Sequence, residues 1–293
     1  MKVLTEPMVQ PDRDVISTLE TVDVTTGERT VLDEFDYLIE APNWTRDGKY
    51  LFYNSKGRIY RYDLAARKPA EICTGCAIHC NNDHVLSPDG KSIAVSHRTE
   101  EDGLSRVYIV PIEGGEATLI TPIAPSYLHG WSPDLKTLAY CAERNGQYDI
   151  YTIPSTGGVE KQLTNLPGLD DGPEYSPNGE YIWFNSTRSG LMQVWRMEKD
   201  GSNPTQMTFD ESNSWFPHLS PDGKQAVYVT YKKGDVEPNK HPANKNVEIR
   251  LMSANGGEYK TIVKLFGGQG TINVNSWAPD NKTIAFVSYK LKG

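Results

Sequence analysis

The stretch Val85–Arg98, VLSPDGKSIAVSHR, decides the fold. A short apolar run leads into Pro88-Asp89-Gly90, and an alternating run, Ile93-Ala94-Val95, follows. Proline presets φ at the first corner of a turn, and Asp-Gly tolerates the geometry that closes it. The stretch therefore reads as a β-hairpin. It recurs as NWTRDGKYLFYNS from Asn43, GWSPDLKTLAYCAER from Gly130 and EYSPNGEYIWFNSTR from Glu174. Two further copies are HLSPDGKQAVYVTY from His218 and SWAPDNKTIAFVSY from Ser276. The anchors Trp44, Leu86, Trp131, Tyr175, Leu219 and Trp277 lie 42, 45, 44, 44 and 58 residues apart.

A second hairpin alternates with the first, as in RVYIVPIEGGEATLI and DIYTIPSTGGVEKQL. Four strands every ~44 residues describe one blade of a β-propeller. The reading is an all-β, six-bladed propeller of four-stranded antiparallel blades. The chain opens with an outer hairpin, 15–32, and closes with an inner one, 276–290. Together these are expected to form the last blade and to remove two exposed strand edges. All 293 residues are then one domain, 1–293. The long fifth step places an inserted loop at 232–246, rich in lysine and proline, between the second and third strands of its blade and overhanging the axis.

The 30 basic against 38 acidic residues give a net charge of -8, which speaks against nucleic acid as a partner. No apolar window is long enough to span a bilayer, and the start, MKVLTEPMVQPDRDV, lacks a signal-peptide core. The expected compartment is the cytoplasm, or the periplasm if a leader has been removed. Three of the four cysteines crowd into Glu71–Gly90, with Cys73, Cys76, Cys80 and His84 at spacings that invite a zinc or disulfide reading. The repeat register spreads them from the rim toward the axis, so thiols packing a loop are expected instead.

The segments approaching each anchor converge on one funnel. They supply Asn82, Asp83, His84, His129, Asp171, Glu174, Trp215, His218 and Asn275. Arg98, Arg144 and Arg188 follow the second strands of three successive blades on the same face and suit carboxylate or phosphate ligands. Tyr127 and Trp215 are placed to stack on a ring. His84 and His129 occupy equivalent positions and are expected to project alike. With Glu174 and His218 they form a candidate site for one divalent metal, Zn, Mn or Ca. Along a regular strand Glu174 and His218 are one residue out of phase with the other two.

The phrases at Trp131–Tyr140, Tyr175–Arg188 and Asp149–Thr164 resemble the WD40-like (PD40) repeats of the TolB propeller family, over nearly the whole chain. The resemblance implies a binding scaffold, with a polar axial funnel for a protein segment or an acidic saccharide. TolB itself carries a further N-terminal domain, which is not recognisable here. The same repeat is similar to the propeller of oligogalacturonate lyases, which implies an alternative: a metal-dependent enzyme eliminating across acidic sugars. In that case His84 and His129 with His218 or Glu174 hold the metal, and Arg144 or Arg188 orients substrate. A fold alone does not decide between the two. No nucleophile elbow, zinc-protease, phosphate-loop or dinucleotide motif is present.

Overall fold

The computed structural model describes residues 14–293. Every regular element among them is a β-strand. Five sheets have four antiparallel strands in sequential order, and a sixth joins the two ends of the chain. In blade 1 the strands run from the axis outward as Glu40–Trp44, Tyr50–Ser55, Arg58–Asp63 and Lys68–Ile72. The innermost strands of blades 2 to 5 are Cys80–Leu86, Ser126–Trp131, Asp170–Tyr175 and Asn213–Leu219. Each ends on its anchor residue, as the repeat predicts.

Blade 6 pairs Val15–Asp23 with Arg29–Phe35 on one side and with Thr283–Leu291 on the other. Its innermost strand is reduced to one bridge, Trp277 with Ile284. The expected closure by both ends of the chain is therefore present, with three full strands in place of four. The turn after each anchor is tied by its own side chains. Ser87 Oγ donates to Asp89 Oδ1 at 2.7 Å, and Ser132–Asp134, Ser176–Asn178 and Ser220–Asp222 repeat the bond.

The apolar core lies between blades. Leu19, Phe35, Leu51, Tyr53 and Val287 fill the seam of blades 6 and 1. Phe52, Ile59, Ile93 and Val95 fill that of blades 1 and 2. Alternating strand residues face opposite seams, so each sheet buries both faces.

Every full innermost strand also carries an irregularity in its pairing just before the anchor: Glu40/Asn43, Cys80/His84, Leu128/Gly130, Asp171/Glu174 and Trp215/His218. These are β-bulges, which leave residues unpaired and re-aim their neighbours. Three positions before the anchor, Ala41, Gly172 and Phe216 adopt φ of 57°, 64° and 54°. For alanine and phenylalanine this left-handed geometry is strained. At Gly172 a Cβ would also lie 2.6 Å from Asn185 Oδ1, the atom that accepts the Phe216 N–H.

Gly172→Ala is therefore expected to destabilise the protein by about 2–3 kcal/mol, of which ~1–2 is backbone cost. Gly90→Ala, with a φ of 71° but open space around it, is the control and is expected to show only the backbone part. Urea unfolding of both variants checks this, and equal losses would contradict the role given to the Asn185 contact.

Candidate functional site

Side chains near the axis fall into two tiers. The lower tier sits one residue before the anchors and binds blade to blade. Asn43 Oδ1 accepts the Leu86 N–H at 3.0 Å, joining blades 1 and 2. Trp131 Nε1 donates to Val85 O at 3.1 Å, joining blades 2 and 3. Glu174 Oε1 accepts the Leu219 N–H at 2.9 Å, joining blades 4 and 5. Trp277 Nε1 donates to His218 O at 3.0 Å, and Asn275 Nδ2 donates to Glu174 Oε1 and Leu219 O. Asn43 Nδ2 closes the circle on Asn275 O. Between blades 3 and 4 the position is Gly130, where a Cβ would lie 2.8 Å from Pro173 O. Close backbone approach takes the place of a side-chain contact there.

This tier absorbs two of the four expected metal ligands. His218 Nδ1 faces Glu174 Oε2 at 2.7 Å, and its Nε2 faces Ile272 O at 2.6 Å. Both ring nitrogens are engaged by oxygen atoms, so neither is left for a ligand at the axis. His84 is also set apart. It is fully buried, and neither ring nitrogen makes a well-formed hydrogen bond. Burial holds the ring neutral, down from the ordinary 6.5 to about 3, opposed only by the Glu40 main chain.

The set His84, His129, Glu174 and His218 is thus not brought together. Among the described residues no group of three or more His, Cys, Asp or Glu is arranged to hold a metal. The bulges give the reason. In blade 2 His84 keeps its strand pairing, opposite Val95, and is buried outside the funnel lining, against the Glu40 main chain. In blade 3 the irregularity between Leu128 and Gly130 leaves His129 unpaired, free to face the axis. Equivalent positions in sequence do not project alike.

The upper tier is a funnel of about 910 Å³, within the size of small-ligand sites. Its floor draws on all six blades. His129 Nε2 lies 3.3 Å from Asp171 Oδ1 and 3.8 Å from Asp83 Oδ1, and its ring stacks on Phe216 at 5.7 Å. Asn273 Nδ2 donates to Asp83 Oδ1 at 2.7 Å and to Asn82 O at 3.1 Å. Asn82 Nδ2 reaches Glu40 Oε1 at 3.4 Å.

Burial opposes the charged ring of His129. The Asp171 hydrogen bond and the charges of Asp83 and Asp171 outweigh it and hold the group above its ordinary value. Burial likewise works against the Asp171 carboxylate, but His129 pulls it below the ordinary range, helped by His241. Asp83 goes the other way: burial pushes it up, only partly offset by His129.

The remaining expected residues divide. Asn82, Asp83, Arg98, His129 and Asp171 line the funnel. Arg144 forms a two-pronged pair with Glu160, Nε to Oε1 and Nη2 to Oε2 both at 2.8 Å, and donates to Pro125 O. Arg188 pairs with Asp170 at 2.6 Å and lies over Phe184 and Trp195. Both guanidinium groups are thus engaged within their own blades, because a carboxylate stands within reach of each. Asn275 and Glu174 belong to the lower tier. Trp215 is buried behind the floor, edge-on to His241 at 4.4 Å.

The register also points Glu40 and Asn273 toward the funnel, where both lie, but sequence reasoning missed His241, Tyr148 and Cys141. His241 arrives with the inserted loop, whose residues Asn239–Asn244 wall the funnel. Tyr231 Oη donates to Pro242 O at 2.8 Å and pins that loop down. The cysteines are all free. Cys80 and Cys141 are buried thiols as expected, with Cys80 pushed up to about 12 by burial. Cys73 and Cys76 are exposed, because Thr74 and Ala77 take the inward positions of that turn.

Residues 122–255 match the family model of the TolB β-propeller domain. An uncharacterized protein of Agrobacterium fabrum is 44% identical over 280 residues, 95% of this chain and 94% of its own length. The Tol-Pal system protein TolB of Francisella tularensis subsp. tularensis is 24% identical over 87% of this chain, which spans 58% of that relative's length. Among solved structures, a protein of Agrobacterium tumefaciens provisionally described as TolB superposes with a TM-score of 0.90 at 44% identity, covering 94% of this chain and 99% of that one. An oligogalacturonate lyase in complex with manganese gives 0.59 at 16% identity, over 92% of this chain and 81% of its own. That last likeness is one of fold.

Two stability measurements check the tiers. Glu174→Ala leaves His218, Asn275 and the Leu219 N–H without their shared acceptor, and is expected to cost about 3–5 kcal/mol in urea unfolding. A loss below about 1 kcal/mol would contradict the blade-joining role. His84 stays neutral in the fold down to about 3, whereas the unfolded ring takes up a proton near 6.5. The unfolded state therefore binds more protons between these values, and stability falls as pH drops through that window. His84→Met is expected to flatten this part of the pH profile, and an unchanged profile would overturn the assignment.

Proposed function

The chain belongs to the TolB-like β-propeller family, and from that premise we propose that it is a non-catalytic binding protein holding a segment of a partner protein in its axial funnel. The observation that carries this reading is the funnel itself: an axial cavity with walls from several blades, capped on one side by an inserted loop. Rigid strands set the floor, and the loop supplies an adaptable wall, the usual division of labour in binding sites. Asn239 and Lys240 of the loop are exposed, while Asp83, His129 and Asp171 are buried. A ligand can therefore meet solvent-facing and desolvated groups along one path.

The alternative, a metal-dependent lyase on acidic saccharides, draws only on a shared fold. His84 is fully buried outside the funnel lining and His218 is engaged at both nitrogens. Two buried carboxylates on the floor also repel a polyuronate.

The test places a photo-crosslinking amino acid at Asn239, with Lys68 on an outer strand as the control, in cells of the source organism. A defined polypeptide segment joined at 239 and not at 68 is expected. Its synthetic peptide is expected to bind the purified protein, and to lose about tenfold or more in affinity when residues 234–242 are replaced by an Asn-Gly turn. Adducts formed equally at both positions, or a peptide indifferent to the loop, would contradict the reading.

A further inference from the structure

We propose that the funnel floor is a receptor for a primary ammonium group, delivered by the bound peptide segment as its free N-terminus or a lysine side chain. This rests on the reading of the funnel as a peptide-binding pocket and names the end of the ligand that reaches the bottom.

The floor is short of cations and of donors. Asp83 and Asp171 are both buried and share the imidazole of His129, and Asp171 also feels the charge of His241. Neither carboxylate meets a lysine or an arginine among the described residues. The other contacts of Asp83 are amide N–H groups of Asn81 and Asn273, and those of Asp171 are the Gly172 N–H and the Cys141 thiol. Buried carboxylates are ordinarily paired with positive charge. Here two stand at the bottom of an open cavity with only histidine as a cationic partner among the described residues.

An independent observation points the same way. Asn273 is 1% exposed and borders the cavity. Its Nδ2 is committed to Asp83 and Asn82, and its Oδ1 has no hydrogen-bond partner. The Asn54 amide repeats the pattern, with Nδ2 on Glu40 Oε2 and Oδ1 unpartnered. Both orientations are fixed, because turning either amide over would set oxygen against oxygen. The unfilled atoms are therefore acceptors, and they call for a donor that carries several hydrogens. An ammonium has three.

The shape of the charge agrees. Tyr127 and Tyr148 line the same cavity, and aromatic rings favour cations. Lys56 and Lys240 line the funnel from exposed positions. A basic mouth above an acidic floor favours a ligand that enters amine-first and leaves carboxylates or carbonyl oxygens near the mouth.

The experiment is titration calorimetry of the full chain with three probes: triglycine amide, acetyl-Gly-Lys-Gly amide, and acetyl-triglycine amide. The first carries an α-ammonium, the second a lysine ammonium and the third neither. At least one ammonium probe is expected to bind about tenfold or more tighter than the third. Which of the two does so identifies the source of the amine. Asp83→Asn is expected to erase that preference while keeping the melting temperature within a few degrees of wild type. Should Asp83→Asn fail to fold, Asp171→Asn is read in its place. Equal binding of all three probes, or binding of none, overturns the inference. A crosslinked segment at Asn239 that binds without any amine preference would leave the binding-protein reading standing while this inference falls.

Discussion

The arrangement at the axis depends on one constraint: each full innermost strand must break its pairing just before its anchor. Six sheets packed around an axis crowd their inner strands together, and a regular strand would send alternate residues rigidly to left and right seams. The bulge releases one residue from that alternation. At Phe216 and Ala41 it does so at the expense of left-handed backbone on non-glycine residues, strain that only a well-determined surrounding can hold. What is gained is direction. His129 and Asp83 face the axis, while His84 beside Asp83 is fully buried outside the funnel lining, against the Glu40 main chain.

Below the bulge, the residue before the anchor ties neighbouring blades. The Glu174–His218–Asn275 group and the Asn43 amide do so by hydrogen bonds to main chain across the seams. Gly130 does it by having no side chain at all. Polar groups that read as a ligand site in sequence are here part of the closure of the ring. The true cavity lies one tier above, where acidic groups outnumber the histidine between them.

The fold was legible because its signal is repetition. Six hairpins with Ser-Pro-Asp-Gly-type turns at near-constant spacing fix blade number, strand order and anchor positions, and the two unmatched hairpins, 15–32 and 276–290, complete one blade by pairing 15–23 with 283–291. The site was only half legible. Stacking the segments in register correctly drew Asp83, His129 and Asp171 toward the axis. It could not show which of two adjacent residues the bulge would release, so His84 was grouped with His129. Nor does spacing reveal partners: Glu160 and Asp170 claim Arg144 and Arg188 from within the same blades. His241 was hidden differently, since an insertion has no counterpart in the repeat against which to place it.

The central claim is that the bulge sets His129 between two carboxylates. Its most direct test is an NMR titration of the protein with ¹⁵N-labelled histidine, following the His129 ring and assigning it by the His129→Gln variant. The arrangement predicts a midpoint above the ordinary 6.5, with both ring nitrogens protonated at that pH. A midpoint at or below 6.5, or a ring that stays neutral as pH falls through this range, would contradict it. The floor would then be an uncoupled set of buried acids, and the bulge would not have the role assigned to it.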